Sequence, residues 1–213
     1  MEERRLERYR LEVDETARRI LFATTELAPV VKVGGLSEAS SGLVGVLRSM
    51  GALVELVMPD YGLVELRDVT EQPLHYLPSW CPPVTARQGW ADQVGQVTVL
   101  SFEGSQRSHP YVDPATGEGW WNNAEYFMIF AAAVAQLAVV RKPDVVHCND
   151  WHTAPAIGRL PAETRSVLTV HNLAHQGTSD ISWADRLGVH GPCLLYTSPS
   201  PRDATLSRMP SSA

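Results

Sequence analysis

The sequence predicts an α/β domain built on a doubly wound, mainly parallel sheet. Three observations carry that expectation. Short apolar runs recur at 20–23, 53–58, 143–148 and 166–170, which is the pattern of strands buried on both faces. Helical patterns at 36–50 and 122–140 alternate with them, as βαβ units require. Polar clusters rich in Gly, His, Asn and Asp directly follow three of the runs, where open α/β sheets bind ligands.

Taken in order, residues 1–19 mix Glu and Arg densely and scatter Leu6, Tyr9, Leu11 and Val13, so a solvated helical extension is expected. Ile20-Leu21-Phe22-Ala23 opens the sheet. Gly34-Gly35 then introduces a helix over 36–50, with Leu36, Leu43, Val46, Leu47 and Met50 near one face and Gly51 as its stop. The second strand, 53–58, ends at Pro59. Between 62 and 119 Pro and Gly are frequent; a strand is predicted over 94–102 and an exposed loop over 103–119. Residues 122–140 form an Ala-rich helix carrying Phe127, Phe130, Val134 and Leu137, with Asn122 or Asn123 as its cap. A strand over 143–148, a short helix over 153–160 and a strand over 166–170 follow, within a single domain spanning 20–192. From 193 to 213 the chain has Pro and Ser punctuation and no period, as in Ser198-Pro199-Ser200-Pro201. That tail reads like the translated read-through of a sequencing adapter and is expected to be non-native, the natural chain continuing beyond residue 192.

Bulk properties narrow the function. A chain of 213 residues with 44% hydrophobic and 20% charged residues suits one packed core. A formal charge of −6 offers no general attraction for nucleic acid or an anionic membrane, and neither is expected as a partner. No apolar run is read as approaching the roughly 20 residues of a membrane span, and no signal-peptide stretch follows Met1-Glu2-Glu3-Arg4-Arg5, so the cytoplasm is the expected location. Cys81, Cys148 and Cys193 fit neither a disulfide framework nor a metal-binding spacing and read as incidental thiols.

Three clusters carry chemistry. After the first strand, Gly34 and Gly35 allow close approach to backbone amides at a helix start, and Lys32 adds a mobile positive charge beside them. Together they suit an anion such as a diphosphate leaving group. A tight turn that needs two glycines and carries a surface lysine explains the same residues, and both readings stay open at this point. His147-Cys148-Asn149-Asp150-Trp151-His152 leaves a strand end with two imidazoles, a carboxylate, an amide and an indole. No carboxylate or thiolate set joins the histidines at a recognised metal-ligand spacing, so no metal is expected. Hydrogen bonding to a polyhydroxylated substrate, with Trp151 as platform or core anchor, fits the residue types, as does a polar turn capped by Asp150. His171-Asn172-Leu173-Ala174-His175-Gln176-Gly177 places another directional hydrogen-bonding cluster after a strand.

At these motifs the chain resembles the glycogen and starch synthases over about residues 20–192. The family segment S-E-x-x-P-x-x-K-x-G-G-L stands here as Thr25-Glu26-Leu27-Ala28-Pro29-Val30-Val31-Lys32-Val33-Gly34-Gly35-Leu36. Met58-Pro59-Asp60-Tyr61-Gly62 matches M-P-x-Y-G. Asp144-Val145-Val146-His147-Cys148-Asn149-Asp150-Trp151-His152-Thr153-Ala154 matches the family's D-V-V-H-x-H-D-W-H segment, with Asn149 in place of a usual His. Thr169-Val170-His171-Asn172-Leu173-Ala174-His175-Gln176-Gly177 matches T-V-H-N-L-A-Y-Q-G, with His175 in place of Tyr.

The resemblance implies the amino-terminal, acceptor-side, Rossmann-like half of a two-domain GT-B glycosyltransferase. It implies transfer of glucose from ADP-glucose, or else UDP-glucose, to the non-reducing end of an α-1,4-glucan, with no cofactor or metal beyond the donor. By position, Asp150 and His171 are the catalytic candidates near the transferred glucose. Lys32, Gly34, Gly35, Glu38, His152, Asn172 and Gln176 are the substrate-binding candidates. Retention by front-face attack makes stabilisation of the departing diphosphate the principal task, and a two-carboxylate glycosidase scheme is not expected. Ser37-Glu38 replaces the usual Ala-Asp, and Tyr126 stands where the motif D-N-x-x-R-F has arginine. The family holds its donor nucleotide mainly in a carboxyl-terminal domain outside these residues, so the chain alone is expected to be inactive. A different GT-B transferase and a non-catalytic glucan-binding module are the alternatives.

Overall fold

A computed structural model describes residues 17–174, 176–177, 179–180 and 182–189. Most of the charged extension, and the segment from 190 that holds the tail, lie outside them. Five strands run parallel in the order β5-β2-β1-β6-β7: β1 (Arg19–Ala23), β2 (Leu53–Pro59), β5 (Gly95–Phe102), β6 (Val145–Asn149) and β7 (Ser166–Thr169). Two further strands, β3 (Arg67–Leu74) and β4 (Val84–Ala91), extend the sheet antiparallel beyond β5.

β1 is central because Leu21, Phe22 and Ala23 are at most 1% exposed, so both faces and both edges need cover. Beside it, α1 (Gly35–Ser49) ends where Met50 and Gly51 turn, with Gly51 at φ +88, a left-handed stop that favours glycine. Its buried face differs from the apolar stripe expected. Leu36, Ser37, Ser40 and Val44 are buried, while Val46 and Met50 are 55% and 77% exposed. Small serines let the helix approach the end of β1, where Thr24 Oγ1 and Ser40 Oγ share a hydrogen bond of 3.1 Å, and this rotates Val46 outward.

The second helix, α2 (Asn123–Arg141), is buried continuously from Tyr126 to Ala138, so its apolarity is that of a core helix enclosed on all sides. It is nonetheless long and apolar enough to cross a membrane by length and composition, contrary to the sequence reading; 72% of its most apolar window is buried inside the domain. Neither asparagine caps it with a side chain, because Arg107 engages both amide oxygens, at 2.6 Å from Asn122 and 2.8 Å from Asn123.

The loop over 103–119 is likewise less exposed than expected. Ser105 and Arg107 are buried in it, Tyr126 Oη donates to the Ser105 carbonyl at 2.7 Å, and the Arg107 guanidinium lies 3.6 Å from the Tyr126 ring centroid. The helix expected over 153–160 is a 3-10 helix, Ala154–Arg159. A short α3 (Ser182–Leu187) packs against α2.

Candidate active site

The chain leaves β1 for β2 and β5 on one side and for β6 and β7 on the other, so the strand order reverses between β1 and β6. Strand carboxyl ends at such a reversal frame a crevice in which backbone groups are accessible to ligands. Asn149 ties this crevice together. It is fully buried, and its Nδ2 donates to the Ala23 carbonyl at 2.9 Å, joining the ends of β6 and β1.

In the loop after β1, the amides of Val33 and Gly34 donate to Glu26 Oε2 at 3.0 and 2.7 Å. The Gly34 amide, expected to face a substrate anion, is occupied by the chain's own carboxylate. Gly35 begins α1; Ser37 N–H donates back to the Gly34 carbonyl at 3.3 Å, while the amides of Gly35 and Leu36 lie ahead of any intrahelical acceptor, so the helix start still presents donors. The tight-turn reading has little support at Gly34. Its φ of −141° is extended backbone open to any residue, and no heavy atom lies within 4 Å of a Cβ built there or at Gly35. The space over both glycines is open. Lys32 Nζ pairs with Glu38 Oε1 at 2.5 Å, both side chains 60% exposed, so the expected cation and the expected acidic contact engage one another.

At the end of β6, Asp150 takes a left-handed backbone, φ +56, and is buried. For a residue other than glycine this conformation is costly and persists where surrounding bonds enforce it. Its amide donates to the Thr169 carbonyl at 2.8 Å, and its Oδ1 accepts from the amides of His171 and Asn172 at 2.6 and 3.4 Å. The carboxylate therefore gathers the loop after β7 instead of capping its own turn. His171 Nε2 lies 3.0 Å from Asn149 Oδ1, while Asn172 Oδ1 accepts from Ala174 N at 2.9 Å and Gln176 Nε2 donates to the Leu173 carbonyl at 2.9 Å. His147, its pKa lowered by burial and by the nearby His171, meets Thr169 Oγ1 at 2.8 Å.

His152 sits inside an aromatic cage of Tyr111, Phe127 and Trp151, with ring centroids 5.0, 4.5 and 4.1 Å away. Burial pushes its pKa down to about 3, so the ring is neutral at physiological pH, and its Nδ1 is buried without a hydrogen-bond partner. Tyr111 links this cage to the glycine loop. Its hydroxyl donates to Glu26 Oε1 at 2.7 Å and lies 2.8 Å from Thr25 Oγ1, and burial with the adjacent Glu26 charge raises its pKa well above the ordinary value. Trp151 is a core anchor: it packs edge-on against Phe127 at 5.2 Å, and Gly177, at φ +62, passes so close that a Cβ there would overlap its ring.

Asp150, His171 and Asn172 are thus in direct contact, and His152 reaches the glycine loop through Tyr111 and Glu26. Lys32 and Glu38 stand apart as an exposed pair, and Gln176 bonds within its own turn. Glu26 and Tyr111 were not among the residues singled out by sequence. Glu26 lies inside a quoted motif, but only the fold shows its carboxylate turned inward; Tyr111 lies in a loop with no periodic signal. Among the described residues no three His, Cys, Asp or Glu side chains form a group able to hold a metal ion.

A Rossmann-like domain with a Gly-Gly helix start after β1 and Asp- and His-bearing loops after β6 and β7 points to the class: the amino-terminal half of the GT-B architecture. The family model described as the starch synthase catalytic domain matches residues 19–202, and the chain belongs to that family. It is 36% identical over 169 residues to a glycogen synthase of Dechloromonas aromatica, a match covering 74% of this chain and 35% of the relative. A glycogen synthase of Paracidovorax citrulli is 36% identical over 193 residues, covering 80% of this chain and 37% of the relative. The catalytic domain of starch synthase IV from Arabidopsis thaliana, bound to ADP and acarbose, superposes with a TM-score of 0.64 at 26% identity, covering 83% of this chain and 38% of that one. The chain therefore spans little more than a third of the length of these relatives.

Proposed function

We propose that the protein containing this chain is a retaining glucosyltransferase that moves glucose from ADP-glucose to the non-reducing end of an α-1,4-glucan. The observation that carries this reading is the gathering of His171 and Asn172 by Asp150 at the end of β6, tied through Asn149 to the end of β1, from which the open Gly34-Gly35 loop follows. The ADP in the related starch synthase IV structure favours an adenine donor over UDP-glucose.

In this reading Lys32 leaves Glu38 to neutralise the departing diphosphate, together with the unpaired amides at the start of α1. Asp150 stabilises positive charge developing on the transferred sugar. His171 meets its hydroxyls, the enclosed His152 supports the site from below through Tyr111 and Glu26, and Asn172 and Gln176 hold the shape of their loop. Sugar recognition rests on such directional partners, and none of these roles calls on a metal or further cofactor. The donor nucleotide is held largely by a carboxyl-terminal domain outside this chain, so the chain alone is inactive.

The test is glucan elongation by the full-length protein with each nucleotide sugar, beside the isolated chain. The expected result is α-1,4 extension from ADP-glucose by the full-length protein only. Absence of transfer from both donors would sink the proposal.

A further inference from the structure

We propose that Asn149 is a positioning residue for His171: it holds the imidazole with its proton on Nε2 and leaves Nδ1 as the acceptor the ring offers to a ligand.

Asn149 is 0% exposed, and a buried amide must satisfy both its donor and its acceptor end within the protein. A carbonyl oxygen can only accept, so the Asn149 group 2.9 Å from the Ala23 carbonyl is the NH2. The other end, Oδ1, is then the atom 3.0 Å from His171 Nε2. Because Oδ1 cannot donate, the proton in that contact belongs to the imidazole. A neutral imidazole has one N–H, so Nδ1 is left bare.

The orientation of His171 is fixed by two successive residues. Asn149 takes the ring, while Asp150 Oδ1 takes the main-chain amide at 2.6 Å, and the β6–β7 pairing of Asn149 with Thr169 sets the distance between the strand ends. The bond also runs in one direction only. Asn149 is locked by the Ala23 carbonyl, so its oxygen has no alternative to accepting. The consequence for catalysis rests on the proposed function: His171 accepts a hydrogen bond from a sugar hydroxyl through Nδ1 instead of donating one. The tautomer assignment does not depend on that reading.

The experiment is side-chain 1H–15N NMR on the chain labelled at histidine nitrogen, with His171→Ala assigning the signal. The expected result is an Nε2–H proton on His171 slowed in exchange with water, beside an unprotonated Nδ1. In Asn149→Ala that protection is lost; in Asn149→Asp the Nε2 proton stays, because a carboxylate oxygen at that place can only accept. A proton on Nδ1, an unprotected ring in the unmodified chain, or unchanged protection in a folded Asn149→Ala chain would each overturn the assignment. If Asn149→Ala does not fold, the unmodified chain and Asn149→Asp decide. A protected Nε2 proton in a protein without transferase activity would leave the positioning role standing and remove only the glucosyltransferase reading.

Discussion

Lowering the pH from 6.5 to 4.5 is expected to weaken the fold through His152. Its ring is 8% exposed, enclosed by Tyr111, Phe127 and Trp151, and its Nδ1 has no hydrogen-bond partner. Burial pushes its pKa down to about 3 from the ordinary 6.5. The folded state therefore keeps the ring neutral until about pH 3, whereas the unfolded chain protonates it near 6.5. Below 6.5 the unfolded state binds more protons, so the contribution is fully present above 6.5 and is lost as the pH falls toward 3. The slope is about 1.4 kcal/mol per pH unit, which makes the loss about 2.7 kcal/mol at pH 4.5. Against a total stability of about 5–15 kcal/mol this is readily measured. Urea unfolding at pH 6.5, 5.5 and 4.5 reads it, with His152→Phe as the variant that fills the cage without a proton. His147, shifted in the same direction by burial and by His171, adds a share that His147→Gln separates. Equal pH dependence of the unmodified and His152→Phe chains across this window would refute the reasoning.

Gly177→Ala is expected to displace Trp151 or the loop after β7, because the position has φ +62 and a Cβ would overlap the indole; altered Trp fluorescence and a lower Tm check it. Arg107→Ala removes two charged hydrogen bonds and the cation–π contacts with Tyr126 and Trp120 and should cost about 2–4 kcal/mol in urea unfolding. Arg107→Lys, which keeps the charge but not the planar fork, should recover less than half of that. The Lys32–Glu38 pair is too exposed to matter for stability, so Glu38→Ala should shift unfolding by less than about 1 kcal/mol. Lys32→Ala in the full-length protein should instead slow transfer by about 10-fold or more by removing a cation from the diphosphate; unchanged kinetics would remove Lys32 from the site.

The parallel core was legible because strands buried on both faces leave continuous apolar runs, as Ile20-Leu21-Phe22-Ala23 does. β3 and β4 were not, for opposite reasons. β3 is an edge strand, almost wholly exposed and interrupted by Pro73, so it has no apolar face to detect. β4 contains Gly89, which reads as a turn; in the fold a Cβ there would lie 2.8 Å from the Arg67 carbonyl, beside a register shift in the β3–β4 pairing. In the motif Met58-Pro59-Asp60-Tyr61-Gly62, Asp60 has a structural explanation: it is buried, accepts from the Gly62 amide at 3.1 Å and pairs with Arg87 at 2.9 Å.

Site residues carried on strand ends were readable, since the strands themselves were. Those that depend on tertiary approach were not. Glu26 and Tyr111 are 85 residues apart and meet only because the 103–119 loop folds back over the end of β1. The missing arginine at position 126 has a related answer. Arg107 brings a guanidinium over Tyr126 from that same loop, which no spacing rule along the chain could show.

In the proposed function the β1–β6 switch point forms half of a glucosyl-transfer site, with Asp150 facing the reacting sugar. Asp150→Asn in the full-length protein tests it most directly, since asparagine tolerates the left-handed backbone and can still accept from the His171 amide while losing the charge. The expected result is an unchanged Tm with glucose transfer from ADP-glucose reduced by about 100-fold or more. Transfer at the unmodified rate by a folded Asp150→Asn protein would contradict the account.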